Sequence, residues 1–121
     1  MTGRKSLLAF CGRTTSDEVR QALNLCEIDC DFYCSSSAEL FIDKVNSMHP
    51  DVIILGSDAS HNDIFKLIHR TRAHSRAPFI FISNILDEYE KEKAVKSGAS
   101  ACIKKPFRDI ELITCVRSFI G

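Results

Sequence analysis

Short apolar runs alternate along the chain with segments whose apolar residues recur at helical spacing. Such runs are typical of strands buried on both faces, and the helical spacing is typical of amphipathic helices that cover a sheet. The predicted strands are residues 7–10, 30–34, 52–55, 79–82 and 101–103. The predicted helices are residues 15–26, 36–49, 64–71, 87–97 and 110–120. This alternation predicts one α/β domain over residues 1–121, a doubly wound (βα)5 fold with a five-stranded parallel sheet between two helix layers and 52–55 at its centre.

Several polar residues indicate where the predicted helices begin and end. Thr15 with Glu18, and Ser36 with Glu39, have the spacing of a capping box, so we expect these two pairs to start the first and second helices. Gly98 is placed to end the fourth helix in the left-handed conformation. The last helix is predicted to face the sheet through four apolar residues: Ile110, Ile113, Val116 and Ile120.

Composition and charge exclude several classes of protein. Sixteen basic residues balance sixteen acidic ones, so there is no overall field that favours nucleic acid or an anionic membrane as a direct partner. No apolar run approaches the roughly 20 residues that span a bilayer. The run at 7–11 is too short for the core of a signal peptide, so a cytoplasmic location is predicted.

The chain has six cysteines, and three of them recur every four residues. Cys30 and Cys34 fall in the predicted second strand, whereas Cys26 ends the first helix, so these thiols are not expected to converge. Their spacing also differs from that of zinc sites. We therefore predict reduced cysteines that pack as small apolar residues, with no disulfide, metal or cofactor.

Three segments resemble the response-regulator receiver domain, and together they extend the resemblance over essentially the whole chain. They are Pro-Asp-Val-Ile-Ile-Leu at 50–55, Pro-Phe-Ile-Phe-Ile-Ser at 78–83 and the segment 98–107, which ends in Lys-Lys-Pro-Phe. The resemblance implies a flavodoxin-like fold of the CheY type with a site at the carboxyl ends of the strands. In typical members an aspartate after the third strand accepts a phosphoryl group, and an acidic pair after the first strand helps to hold Mg²⁺.

Carried over to this chain, the resemblance places Gly56 at the phosphoacceptor position and Cys11 and Gly12 at the acidic pair. None of the three supplies a side-chain oxygen. Mg²⁺ requires hard oxygen ligands, normally including one or two carboxylates, so we expect neither metal binding nor an acyl phosphate at these positions. The sequence therefore resembles a degenerate member, a pseudo-receiver.

Other site positions are retained or replaced. Ser83, Lys105 and Pro106 match the family pattern, whereas Cys102 stands where members commonly have the aromatic switch residue. Ser83 is either a remnant phosphoryl contact or a residue that caps the next helix or satisfies loop backbone. Lys105 is either such a remnant or the partner of Asp58 in a salt bridge. Asp58 is also the alternative acceptor, about 6.6 Å beyond Gly56 if the strand continues, although without metal.

The loop at 11–16 supports two alternatives from other classes of protein. Cys11 at a helix start is a candidate nucleophile of depressed pKa, as in a phosphocysteine transferase. The hydroxyl groups of the loop are candidate ligands of a phosphate or of the FMN phosphate in a flavodoxin-like binder. The remaining interpretation is that Thr14 or Thr15 simply caps the helix.

The residues favour a phosphorylation-independent interaction module over an enzyme. The resemblance implies as partner a signalling protein, namely a kinase, an output domain or another regulator, with a second copy of the chain as a further candidate. The docking surface that it implies is the face formed by the fourth helix, the fifth strand and the fifth helix.

Overall fold

The computed structural model describes residues 5–28, 30–35, 37–59 and 64–120. Strands and helices alternate strictly, as the apolar pattern predicts. The strands are β1 (Lys5–Phe10), β2 (Cys30–Cys34), β3 (Val52–Gly56), β4 (Phe79–Ser83) and β5 (Ala101–Lys104). The helices are α1 (Arg13–Leu25), α2 (Ala38–Met48), α3 (Ile64–Arg72), α4 (Glu88–Ser97) and α5 (Asp109–Ile120).

The five strands form one parallel sheet in the order β2-β1-β3-β4-β5. β3 is at the centre, which confirms the prediction for residues 52–55, and every one of its residues is buried. Parallel strands that are covered on both faces are expected to be continuously apolar, because neither face contacts water. The predicted flavodoxin-like (βα)5 architecture is thus confirmed.

Alternate residues of each strand pack into two separate cores. Leu7 and Ile54 point to the core that α1 and α5 cover, whereas Leu8 and Ile53 point to the core under α2, α3 and α4. This alternation follows from the two-residue period of a strand. None of the helices in the part of the chain described above is long and apolar enough to cross a membrane.

Both capping-box predictions are wrong. α1 begins two residues earlier than expected, with Gly12 as N-cap and no side-chain cap, and Thr15 lies fully buried inside the helix. The hydroxyl of Thr15 is used in a long-range contact instead. The N-cap of α2 is Ser37, whose hydroxyl accepts a hydrogen bond from the Leu40 amide at 3.2 Å. Ser36, the predicted cap, lies outside the described residues.

α4 ends where predicted, and the predicted apolar face of α5 is confirmed at Ile113, Val116 and Ile120 but not at Ile110. α4 ends at Gly98, whose φ of +122° suits glycine. In α5, Ile113 and Val116 are buried, but Ile110 is 56% exposed and Leu112 is buried. At 3.6 residues per turn, Ile110 lies roughly 110° from the centre of the stripe that the three buried residues form, so it faces away from the sheet.

Arg72 joins the end of α3 to two neighbouring segments. Its guanidinium donates to the carbonyl oxygen of Ala77 at 2.6 Å, to that of Gly98 at 3.1 Å and to the Ser100 hydroxyl at 3.2 Å. These acceptors lie just before β4 and between α4 and β5. One side chain therefore satisfies backbone groups of both connections to the edge of the sheet.

Candidate functional site

The predicted site residues meet at the carboxyl ends of the strands. Cys11 directly follows β1, Gly56 ends β3, Ser83 ends β4 and Lys105 directly follows β5. The amide of Lys105 donates to the carbonyl oxygen of Ser83 at 2.8 Å. Because the strands are parallel and adjacent, these four residues line the same edge of the sheet, where open α/β sheets place their sites.

The Asp58 side chain projects into this site. This position was not expected, because a strand that continued past Gly56 would carry Asp58 farther along. The chain turns after Gly56, and the Ala59 amide donates back to the Gly56 carbonyl at 3.1 Å. The Asp58 carboxylate then accepts hydrogen bonds from the Gly12 amide at 2.8 Å and from the Thr15 hydroxyl at 2.7 Å. The expectation that Asp58 lies farther along the strand is therefore wrong, and the site does contain a carboxylate.

Gly12 and Gly56 leave the space that this carboxylate occupies. A Cβ atom added at Gly12 would lie 2.7 Å from Asp58 Cγ. One added at Gly56 would lie 2.6 Å from Asp58 Oδ1 and 2.5 Å from the Cβ of Cys11. Side chains at either position would therefore displace Asp58, so the two glycines and the aspartate form one packed arrangement.

Lys105 contacts Thr15 and Glu18, so the predicted salt bridge with Asp58 is wrong. Its Nζ donates to the Thr15 hydroxyl at 2.7 Å and lies 3.0 Å from Glu18 Oε1. Thr15 thus accepts from Lys105 and donates to Asp58, which links the lysine to the aspartate through one hydroxyl. The resulting chain is Lys105–Thr15–Asp58, with Glu18 as the direct counter-ion of the lysine.

The sequence analysis connects neither Thr15 nor Glu18 with Lys105, and Thr15 enters it only as a helix cap or as one hydroxyl of the 11–16 loop. Their spacing was present in the sequence, because residues three apart share a helix face. As an N-cap, however, Thr15 would lie just outside the helix and would share no helix face with Glu18. Once α1 is seen to start at Arg13, both side chains fall on the surface that faces Lys105.

Ser83 is fully buried and has local partners. Its hydroxyl accepts from the Ile85 amide at 3.1 Å and donates to Glu90 Oε1 at 3.0 Å. The interpretation that Ser83 satisfies loop backbone is therefore confirmed. Asp87, and not Ser83, caps α4 through the Glu90 amide. Pro106, which follows Lys105 through a cis peptide bond, is exposed.

Cys11 is buried, which opposes its use as a nucleophile. Its Sγ lies 3.1 Å from the Ser16 hydroxyl. Burial raises the pKa of the Cys11 thiol from 9.0 to about 12, and the hydrogen bond with Ser16 offsets only part of that effect. A transferase of the kind considered above requires a depressed pKa. The environment of Cys11 acts in the opposite direction.

An open cavity of about 550 Å³ lies beside the 11–16 loop. Its lining combines the cations Arg13 and Arg20 with the carboxylates of Asp17 and Asp58. Phe10, the aromatic residue of this lining, is only 2% exposed and offers no ring for stacking. The arrangement therefore does not favour FMN, and the mixed charge does not favour a free phosphate.

The prediction that Thr14 or Thr15 caps α1 is also wrong, because the Gly12 cap has no side-chain hydrogen bond.

Cys102 lies half-buried on β5, opposite Phe81 of β4, and burial raises its pKa. It packs against the core under α2, α3 and α4. None of the six cysteines forms a disulfide bond. Within the described parts of the chain, no cluster of three or more His, Cys, Asp or Glu side chains is arranged to hold a metal ion.

The fold is that of response-regulator receiver domains of the CheY type. The sequence-based resemblance is confirmed at the level of fold. The chemotaxis protein CheY4 of Vibrio cholerae superimposes with a TM-score of 0.84 at 16% identity, covering 97% of this chain and 99% of that one. A two-component response regulator from Clostridium difficile gives 0.84 at 19% identity, covering 98% and 96%. The BeF3-activated N-terminal receiver domain of Klebsiella pneumoniae RstA gives 0.82 at 15% identity, covering 96% and 97%.

One curated relative is similar along nearly the whole chain. The sensory transduction protein BceR of Halalkalibacterium halodurans is 25% identical over 116 residues, which are 96% of this chain and 49% of that protein. The chain thus spans about half the length of this relative. No family model matches the chain.

Proposed function

We propose that the chain is a receiver-type signalling module that acts by binding a partner protein and not by accepting a phosphoryl group. The observation that carries this proposal is the Asp58 carboxylate, held by the Gly12 amide and the Thr15 hydroxyl in the space between two glycines. In the family pattern the acceptor position falls on Gly56, and glycine has no carboxylate. The similarity to BceR supports a role in sensory transduction.

Asp58 is poorly placed to replace the missing acceptor. One of its oxygens already accepts from the Gly12 amide and the other from Thr15, and because these bonds stabilise the ionised carboxylate, both oxygens are weaker nucleophiles. Lys105, which would contact a phosphoryl oxygen, is paired with Glu18 and bonded to Thr15. Cys11 and Gly12 would leave Mg²⁺ without the carboxylates that it normally needs. The proposed module is therefore not an enzyme and uses no cofactor.

The experiment is incubation of the chain with acetyl phosphate and Mg²⁺, followed by intact-mass measurement. A phosphorylation-competent receiver domain in the same tube is the positive control. We expect phosphate to add to the control and not to this chain. Asp58→Asn should behave as the wild type does. If the wild type gains phosphate and Asp58→Asn does not, Asp58 is an acceptor and the proposal fails.

The docking surface that we propose is the face of α4, β5 and α5. α4 and α5 both contact β5. Val95 on α4 and Ile110 on α5 are 55% and 56% exposed and offer apolar side chains to a partner. The exposure of Ile110, which the helical pattern predicted to be buried, supports a role outside the core.

A partner captured from the native host provides the test of this face. Val95→Asp should abolish capture, because it puts a charge into the proposed interface. Leu40→Asp is the matched control, since Leu40 is a similarly exposed apolar residue of α2. Charge reversal at Glu88 and Lys91 should also weaken capture. Equal binding by wild type and the α4 variants would exclude this face.

A further inference from the structure

A second surface lies between α3 and α4, away from Lys91 and Val95. The two helices enclose an open groove of about 450 Å³. The side chains that define this α3–α4 groove are Phe65, Lys66, His69, Arg70, Lys93 and Lys96. None of the described residues that line it is acidic.

The interior of the α3–α4 groove is apolar although its residues are mostly basic. The Phe65 ring packs on Phe81 of the core with ring centroids 5.6 Å apart, so it is held in place. Lysine and arginine side chains cover apolar surface with their aliphatic stems while their charged ends remain in water. The groove therefore combines apolar walls with a positively charged rim.

The positive charge at this groove comes from Lys66 and Arg70 on α3 and from Lys93 and Lys96 on α4. Between Asp63 and Asp87 there is no Asp or Glu, whereas this stretch has four Lys or Arg residues in a chain whose total charge is zero. Lys66 and Arg70 lie one turn apart on α3 with exposed side chains. Across the groove, Lys96 has only an exposed pair with Glu92 at 2.9 Å, which a stronger partner can replace at little cost.

We propose that the α3–α4 groove binds an acidic segment of a partner protein. An apolar side chain of that segment enters between the helices, and carboxylates on either side of it meet the basic rim. The argument rests on charge complementarity, because a rim of four Lys or Arg residues without a lining carboxylate attracts negative and repels positive segments. Apolar anchors between flanking charges are a common way in which peptides dock in helix grooves.

Two observations favour an acidic protein segment over nucleic acid. The Lys93 ammonium lies 4.8 Å from the centroid of the Phe65 ring, so a base cannot stack on that ring without displacing it. Arg72, another basic residue of the stretch, donates to the backbone of Gly98 and Ala77 and is not available to phosphates. The cations thus surround one short groove and do not form a track along a backbone.

The test uses a short fluorescein-labelled peptide with one leucine and one phenylalanine between glutamates. Matched peptides carry glutamine or lysine in place of glutamate, and a labelled single-stranded DNA oligonucleotide is the nucleic-acid probe. Binding to the whole chain is measured by fluorescence anisotropy. Amide chemical shifts of ¹⁵N-labelled protein then locate the site and confirm that each variant is folded. Raising the salt from about 0.1 M to about 1 M, which shortens the Debye length from about 10 Å to about 3 Å, should weaken binding.

The double variant Lys66→Glu/Arg70→Glu should bind the glutamate peptide at least about tenfold more weakly, since two attractions become repulsions. Lys44→Glu/Arg117→Glu changes the net charge equally on other helices and should bind as the wild type does. The shifted amides should belong to residues 64–70 and 93–97. Absence of binding, equal binding of the glutamine peptide, an equal loss in the control variant, or preferential binding of DNA would each overturn the proposal.

Discussion

The packing of Gly12 against Asp58 leads to a quantitative prediction for a double-mutant cycle. Gly12 has φ −62° and ψ 159°, which alanine adopts without strain, so Gly12→Ala tests the space and not the backbone conformation. Its new Cβ would overlap the Asp58 carboxylate and force it away from the Gly12 amide and the Thr15 hydroxyl. Asp58→Ala removes the same two hydrogen bonds directly.

The expected energies follow from these two bonds. A hydrogen bond to a charged group contributes about 1.5–3 kcal/mol, and exposure of Asp58 favours the lower end or less, about 1 kcal/mol each. Each single variant should therefore lose about 2 kcal/mol. The double variant should lose about 2–2.5 kcal/mol and not the sum of about 4, because the bonds can be lost only once. The coupling energy is then about 1.5–2 kcal/mol.

Urea unfolding of the four proteins, followed by circular dichroism, measures these values if the transitions are two-state. Asp17→Ala provides the control, since Asp17 is an exposed carboxylate on α1 that pairs with Arg20 at 3.5 Å. The losses of unfolding free energy for Asp17→Ala and Gly12→Ala should add within about 0.5 kcal/mol in the double variant. Additive losses for Gly12→Ala and Asp58→Ala would show that the carboxylate does not occupy the space above Gly12, which would remove the main support for the proposed function.

Further predictions concern four single residues. Arg72→Lys should lower the unfolding free energy by about 2 kcal/mol in urea titrations, because lysine cannot reach the three acceptors at once. Gly98→Ala should cost at least about 1 kcal/mol in the same assay, since φ is +122° and the new Cβ would lie 2.7 Å from Arg72. Ser37→Ala should cost about 1 kcal/mol through loss of the α2 cap; an unchanged midpoint would contradict the cap. For Cys11, burial raises the pKa from 9.0 to about 12, so the unfolded chain releases this proton first and the wild type should lose stability relative to Cys11→Ala as the pH rises from 9 towards 12. Iodoacetamide labelling with peptide mapping should likewise find Cys11 the slowest thiol, and rapid labelling would refute its burial.

Most of the fold could be predicted from local patterns. The run at 52–55 identified the central strand because a strand covered on both faces must be apolar at every position. The recurrence of Ile64, Leu67, Ile68 and Thr71 at helical spacing identified α3, and all but Ile64 are buried on the side that faces the sheet. Gly98 indicated the end of α4, since few other residues adopt a positive φ without strain. In each of these cases the structural feature depends on residues only a few positions from those that indicate it in the sequence.

The errors in α1 and α5 arose where a local pattern had two explanations. Thr15 and Glu18 fit a capping box, but the same spacing also places two side chains on one helix face, and only the position of Lys105 shows that the second explanation holds. Ile110 was assigned to a stripe that Leu112 in fact completes, because spacing alone does not show which side of a helix faces the sheet.

The sequence by itself determined that the site would lack a carboxylate on Gly56, Cys11 and Gly12, since side-chain chemistry is a property of each residue. Only the tertiary structure decided that Asp58 would fill the space, because its partners Gly12 and Thr15 are 46 and 43 residues away along the chain. Local patterns report which faces are buried. They do not report which polar groups meet across the end of a sheet, because that depends on the turn after β3 and on the strand order together.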